Sequence, residues 1–485
     1  MSTDDNSPTS WLARERCNVY LWDVANATDT HLPPKYTPHN WLANKFSAEL
    51  WVQRALVSHP WRVAAPEDAD LILLAANFSM YCRAGKSYSA RFFWRKLLPL
   101  MGYTGKPTPL LRAPALGNAT ARTPKLLVLT DNECTSPTSH TWKPREVLGI
   151  TDHGPGAYDA VAPFVLSRPP WLVAAGAADQ SAAQGAWDAR PLVFFTGHVP
   201  KLYINPTRYL IWKQIRRAPG VTALSATINC TIGQFAACRA PPPTDAGYKT
   251  FCLPYCDSHR EDDWRVALND APGRVSAAKG PPKGVRRGGR GCSSKGAFHR
   301  NCRAYRHVNF TDEAAEMAAA TRNLLAPKYF EAAMSHRFCL NAPGDFVSTP
   351  KITEFVALGA AGGCLPVMVV RGAPQAMLPY ARWLDWCAIA VLVSEETARA
   401  GMGRVLARLR ATTAADAAAM RARLRAARDA FVWRPPAADP VAQPSAADFV
   451  LGEACESARK FRAHEDKTGA TSARPPAPDP RRCML

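Results

Sequence analysis

With 485 residues, 47% of them hydrophobic and 21% charged, the chain has globular composition and apolar material for about two to three domains, which excludes a wholly disordered polymer. Its net charge of +20 draws anions, whether nucleic acid, acidic polysaccharide, a membrane surface or a sugar nucleotide, and does not choose among them. No stretch of about 18 apolar residues occurs and residues 1–16 lack an apolar core, so neither a transmembrane helix nor a signal peptide is expected in this sequence.

Residues 1–16 read as a polar leader. Residues 17–23 (CNVYLWD) form a short β-rich run, and 40–57 carry an amphipathic helical pattern. Apolar runs at 70–76, 125–130, 158–164 and 191–195 read as buried strands. Residues 171–190 are Ala-rich and weakly patterned, a linker between two halves. A helical pattern covers 311–337, a short strand 338–340, a helix 349–358 and a strand 364–370. Residues 403–431 form an Ala/Arg/Leu helical stretch divisible into two helices. From about residue 435 to 485 the chain reads as a Pro/Ala-rich tail, with its last thirty residues expected to be disordered. Continuous apolar strands alternating with helices predict parallel sheets covered on both faces, hence an α/β class.

Residues 240–306 look like an insertion. GPPKGVRRGGRGCSSKG cannot build a packed core. Ten Lys or Arg and no Asp or Glu fall in 274–306, about half of the charge excess. The segment reads as a solvated loop, or as a contact for an acidic glycan or membrane surface. Nucleic acid is the least favoured partner, because RRGGRG lacks interleaved aromatics for base stacking. The fourteen cysteines include no CxxC pair, which argues against a zinc ribbon. Six cysteines lie between 230 and 302; disulfides in a secretory compartment and free cytosolic thiols both remain open. Five N-x-S/T sequons (Asn26, Asn77, Asn118, Asn229, Asn309) mildly favour the first.

The most informative stretch runs from Phe338 through Cys339, Leu340, Gly344, Asp345, Ser348, Thr349, Pro350 and Lys351 to Glu354. It reads as strand, turn and capped helix start, with Ser348 or Thr349 as cap and Pro350 at the first helical position. A helix beginning at the carboxyl edge of a parallel sheet aims its N–H groups into the ligand crevice, where a diphosphate fits. Lys351 adds a positive charge, and Glu354 is placed to accept hydrogen bonds from ribose hydroxyls. The plainer alternative is an ordinary capped helix with a surface glutamate.

The same stretch resembles the exostosin family, glycosyltransferase family 47. Tyr329, Ser335, Phe338, Cys339, Leu340, Gly344, Asp345, Ser348, Lys351, Glu354, Gly363, Cys364, Leu365, Pro366 and Val367 follow the family's order. Leu378-Pro379-Tyr380, Leu384-Asp385-Trp386, Val391, Val393, Glu395 and Glu396 continue it, and Met420, Phe431 and Trp433 fit its closing helices. In the first half, Val19 to Asp23, Pro66 to Leu71, Tyr158 to Pro163, and Arg190 to Gly197 with Arg208 beyond are similar to family segments. Three departures stand out. Lys351 replaces the usual Arg, keeping the charge but losing the bidentate fork. The stretch between Glu354 and Cys364 is about four residues longer than usual, roughly one helical turn. The basic insertion has no family counterpart.

The resemblance implies two facing Rossmann-like lobes, the GT-B arrangement, with an acceptor lobe at 17–170 and a nucleotide-sugar lobe at 191–434. It implies an inverting glycosyltransferase that uses a nucleotide sugar, with UDP the expected nucleotide, on a polysaccharide or glycoprotein glycan. No cofactor and no metal are expected, the family generally working without one. Family members usually reside in the Golgi. Arg208, Gly344, Asp345, Ser348, Lys351 and Glu354 are the candidate nucleotide-sugar residues. Inversion needs a base on the acceptor side. Asp131, after a predicted strand, and Asp152 and His153, in the loop TDHGPG, are the candidates; a turn aspartate or a solvated histidine is the alternative for each. Two rivals remain: a glycan-binding protein of the same fold without turnover, and a basic nucleic-acid-binding protein.

Overall fold

A computed structural model describes residues 8–23, 42, 47–75, 116, 123–129, 147–151, 160–166, 185–197, 207–225, 328–344, 349–374, 377–437, 442–465 and 479–485. Asp131, Asp152, His153, Asp345, Ser348, the insertion 240–306 and the six cysteines between 230 and 302 lie outside them.

The protein is α/β, built on two separate parallel sheets. In the first, β1 (Val19–Trp22), β2 (Arg62–Val63), β3 (Leu71–Leu74), β4 (Lys125–Leu129), β5 (Val147–Thr151) and β6 (Ala160–Val161) lie in the order β2-β1-β3-β4-β5-β6. The second orders β7 (Val193–Gly197), β8 (Val221–Ser225), β9 (Phe338–Asn341), β10 (Leu365–Val370) and β11 (Val391–Ser394) as β11-β10-β9-β7-β8. Every described strand pair is parallel. That is why the strands read as continuous apolar runs: all four residues of β3 and all six of β10 are buried. The expected strands fall where the sequence placed them. Four others did not announce themselves. β2 is only two residues long. VLGIT (β5) and VTALS (β8) break their apolar runs with Gly, Thr or Ser, and VLVS (β11) is only four residues long.

Both ends of the described chain depart from the sequence reading. The leader contains helix α1 (Pro8–Arg14), whose Trp11 and Leu12 are buried. Helix α2 (Ala48–Val57) covers the first sheet. The second sheet is accompanied by α3 (Thr207–Ile215), α4 (Lys328–Ser335), α5 (Pro350–Ala360), α6 (Glu395–Ala400), α7 (Met402–Arg410) and α8 (Ala414–Ala427). The expected tail then forms a 20-residue helix, α9 (Ala446–Glu465). Its Pro/Ala-rich approach hid an apolar face: Phe449, Val450, Leu451, Ala454, Cys455, Ala458 and Phe461 are all buried. Three of these seven are alanine or cysteine, so composition understated the face. At the end of the expected linker Trp187 and Arg190 are buried, and the Trp187 indole donates to the Thr412 carbonyl at 3.1 Å.

Helix α9 follows the second sheet in sequence yet packs on α2 and against β3, β5 and β6 of the first. Several contacts fasten it there. Cys17, just before β1, is disulfide-bonded to Cys455. His59 Nε2 lies 3.2 Å from Asp448 Oδ1. Trp11 stacks on Trp383 of the second half, with centroids 4.5 Å apart, and its edge fits because residue 452 is glycine: a Cβ there would lie 3.0 Å from the indole. Tyr380 holds a left-handed backbone (φ 61°), kept in place by Trp383, Phe431 and Phe449 around its ring and by its hydroxyl reaching the Ala446 carbonyl at 3.4 Å. The Trp433 indole donates to the Phe164 carbonyl across the same seam.

At the far edge of the second sheet Leu485 runs beside β11. Its N–H donates to Leu392 and its carbonyl accepts from Ser394, and the Cys387–Cys483 disulfide secures the segment. Among the described residues no helix is long and apolar enough to cross a membrane.

Trp11 is the test of the leader's role. Trp11→Ala removes a fully buried indole from the seam, so guanidinium unfolding should show a loss of about 3–5 kcal/mol. A loss below about 1 kcal/mol, the level of an ordinary surface change, would contradict the packing described.

Candidate functional site

The second sheet changes direction at its centre: from β7 the chain goes one way to β8, and from β9 the other way to β10 and β11. A reversal of that kind opens a crevice outside the carboxyl ends of the two central strands. β7 ends there at Gly197 and β9 at Asn341. The residues that follow these strands supply the site.

Arg208 comes from the first turn of α3. Its Nε donates to the Ala342 carbonyl at 3.1 Å. Its side chain lies against Gly197, where an added Cβ would be 3.4 Å from Cδ. At Gly344 an added Cβ would stand 2.5 to 2.7 Å from the guanidinium atoms. Glycine at 344 is therefore what lets the turn after β9 pass directly over the Arg208 head group.

Helix α5 starts at the same edge. Thr349 is its N-cap residue and Pro350 its first helical residue, as the sequence suggested. The Thr349 hydroxyl does not cap, however; it donates instead to Asn341 Oδ1 at 2.8 Å, tying the helix start to the end of β9. The first N–H groups of α5 thus receive no acceptor from that side chain.

Lys351 and Glu354 sit three residues apart on α5 and meet Tyr329 of α4. The Tyr329 hydroxyl donates to Glu354 Oε2 at 2.7 Å and accepts from Lys351 Nζ at 3.1 Å. The ammonium also lies 4.5 Å from the Tyr329 ring centroid and 5.6 Å from that of Phe355. Burial lowers the Lys351 pKa to about 8, opposed by the Glu354 carboxylate and assisted by the Arg208 charge. Burial, with Glu354 beside it, pushes the Tyr329 hydroxyl well above its ordinary value, so it remains protonated. The extra residues before Cys364 do not turn Glu354 away from this group. Helix α5 ends at Ala360, and Gly362 (φ 92°) then reverses the chain into β10. The Cys339–Cys364 disulfide holds β9 to the residue preceding β10.

A second charged group lies on the same edge. Arg371, just past β10, grips Glu395 with two hydrogen bonds of 3.0 and 3.2 Å, and the Thr207 hydroxyl donates to the same carboxylate. Glu395 opens α6, so its charge also faces a helix amino terminus. Glu395 and Tyr329 were visible in the sequence as motif positions without a role; Arg371 was missed. Its position, directly after a strand of the second sheet, was the available signal.

Of the sequence-predicted nucleotide residues, Arg208, Gly344, Lys351 and Glu354 are brought together, and Asp345 and Ser348 lie outside the described residues. The three base candidates also lie outside them. Among the described residues no three His, Cys, Asp or Glu side chains cluster to hold a metal ion. What the group offers is a guanidinium, an ammonium and helix N–H donors for an anion, with a carboxylate one turn away for hydroxyl donors.

Gly344→Ala tests the close approach. The guanidinium is the mobile end of its side chain, so the variant should fold but with Arg208 displaced from the Ala342 carbonyl. Affinity for inorganic pyrophosphate, read by calorimetry, should fall about tenfold for the loss of a charge-assisted contact; wild-type affinity would contradict the arrangement.

Comparison with protein-family models gives no match to this chain, and comparison with curated proteins gives none.

Proposed function

We propose that this chain is an inverting glycosyltransferase similar to the exostosin type, taking a sugar from a nucleoside diphosphate donor and passing it to a glycan hydroxyl. The observation that carries the reading is the joining of Arg208, Lys351 and Glu354 around Tyr329 and Gly344 at the reversal point of the second sheet. A nucleoside diphosphate has the matching pair of features: two phosphates for the cations and the α5 N–H groups, and ribose hydroxyls for the carboxylate. Arg208, Lys351 and the helix start then stabilise the charge that grows on the departing diphosphate, the main electrostatic demand of such a displacement. Glu354 fixes the ribose and so the register of the donor.

A GT-B arrangement of two facing lobes is favoured by the two parallel sheets and by α9 returning from the second half to the first. In this reading the first sheet's half takes the acceptor glycan, and residues 274–306 add an acidic-polysaccharide contact. The acceptor-side base is drawn from Asp131, Asp152 and His153. Three disulfides among the described residues favour an oxidising compartment, consistent with the Golgi or another part of the secretory pathway.

Two experiments test the reading. Incubation with a panel of UDP- and GDP-sugars and a glycan acceptor should release the nucleoside diphosphate; binding without release would favour a glycan-binding protein of the same fold. Glu354→Gln should weaken UDP-sugar binding roughly ten- to hundredfold, the value of about 1.5–3 kcal/mol for a hydrogen bond to a charged group, with the fold retained. Unchanged affinity in a folded variant would place the ribose elsewhere.

The pH dependence has a defined sign. Lys351 is cationic below its pKa of about 8 and neutral above it. Diphosphate affinity should therefore be full near pH 7 and decline as pH rises through 8, while binding of the uncharged nucleoside should not follow that curve. Parallel curves for nucleoside and diphosphate would remove Lys351 from the phosphate contact.

A further inference from the structure

We propose that Tyr329 is a positioning residue of this site, its hydroxyl acting as a spacer that keeps Lys351 and Glu354 from closing into a direct ion pair. The proposal rests on the nucleotide reading above for its functional meaning, but the spacer itself is a property of the empty site.

The geometry is specific. A tyrosine hydroxyl has one proton to give and lone pairs to receive. Here the proton goes to Glu354 Oε2 at 2.7 Å, and Lys351 Nζ donates to the oxygen at 3.1 Å. Lys351 and Glu354 are separated by three positions on one helix, the spacing at which opposite charges pair directly. They do not; each ends on the tyrosine oxygen instead. The consequence is unspent hydrogen-bonding capacity. Among the described residues Glu354 Oε1 has no hydrogen-bond partner, and Lys351 Nζ has only the Tyr329 oxygen for its three protons. A direct pair would consume that capacity on both sides.

The spacer is itself held. The Tyr329 ring packs against Phe194 of β7 at 5.7 Å and against Phe330 at 5.0 Å, so the hydroxyl is aimed by the sheet and by its own helix. The same ring carries the ammonium on its face, which retains the cation when no ligand is present. Among the described residues, the titratable groups facing Lys351 are Glu354 on its own helix, Tyr329 on α4 and Arg208 on α3. Arg208 repels the ammonium and Glu354 attracts it. With the spacer in place the lysine titrates near 8; with Glu354 in direct contact it would titrate higher.

Tyr329→Phe in the full chain removes one oxygen and leaves the ring. The first measurement needs no ligand: acetylation of Lys351 by acetic anhydride as a function of pH, followed by mass mapping. Wild type should show a midpoint near 8. In Tyr329→Phe the midpoint should rise by about one unit, an about fivefold drop in reactivity at pH 8, as the direct pair forms. Adding Glu354→Gln to that variant should bring the midpoint back down. The second measurement is calorimetric titration with UDP, which the single variant should bind about tenfold more weakly at pH 7 with its thermal unfolding unchanged.

An unchanged acetylation midpoint in Tyr329→Phe would overturn the spacer, even if UDP affinity fell, because a merely structural role predicts that result. A raised midpoint with wild-type UDP affinity would overturn its part in binding. If wild type fails to bind UDP while the midpoint still moves, the spacer stands and the nucleotide reading falls.

Discussion

In the second sheet every strand runs in one direction, so the chain must cross back after each strand and begin its helices beside the carboxyl ends. That constraint gathers the starts of α3, α5 and α6 on one edge, each with N–H groups that its own helix does not satisfy. Positive potential accumulates there before any side chain is chosen. The reversal of strand order at β7 and β9 then keeps the crossings apart and leaves that edge open to a ligand. Arg208, Lys351 and Arg371 add formal charge to an edge that is already electropositive.

The two carboxylates on this edge are used differently, and the difference separates structure from site. Glu395 is answered on both oxygens by Arg371 and on one by Thr207, so its charge is committed. It joins the end of β10 to the starts of α3 and α6, and its removal would leave Arg371 beside Arg208's helix without a counter-charge. Glu354 is answered on one oxygen by a neutral hydroxyl. A carboxylate with spare capacity beside a lysine of lowered pKa suits a group that exchanges partners when a ligand arrives. Gly344 serves the same end, since any side chain at 344 would drive the guanidinium away.

Much of this was legible in the sequence. FCLN and LPVMVV are apolar enough to be buried on both faces, and Thr349-Pro350 marks a helix start by its chemistry alone. The resemblance pointed to Lys351 and Glu354, and spacing placed them on one helix. What spacing could not supply was the partner from another element: that Tyr329 stands between them depends on how α4 lies against β7 and α5. The thiol pairings were illegible for the same reason, since Cys17 and Cys455 are 438 residues apart. The terminal segments failed for a different cause. Helix α1 has only Trp11 and Leu12 to bury, and α9 interleaves its buried Phe449, Val450, Leu451 and Phe461 with alanines and charged residues, so neither raised the local apolar content enough to be read.

The central claim is that a nucleoside diphosphate is held at the carboxyl edge of the second sheet. Amide hydrogen exchange with and without saturating UDP reads that most directly, because it locates the ligand without assuming which residue binds. Exchange should slow over 350–355, 338–344 and the first turn of α3, with the first sheet's strands unaffected. Protection confined to residues of the first sheet, or no protection at a concentration where UDP is bound, would contradict it.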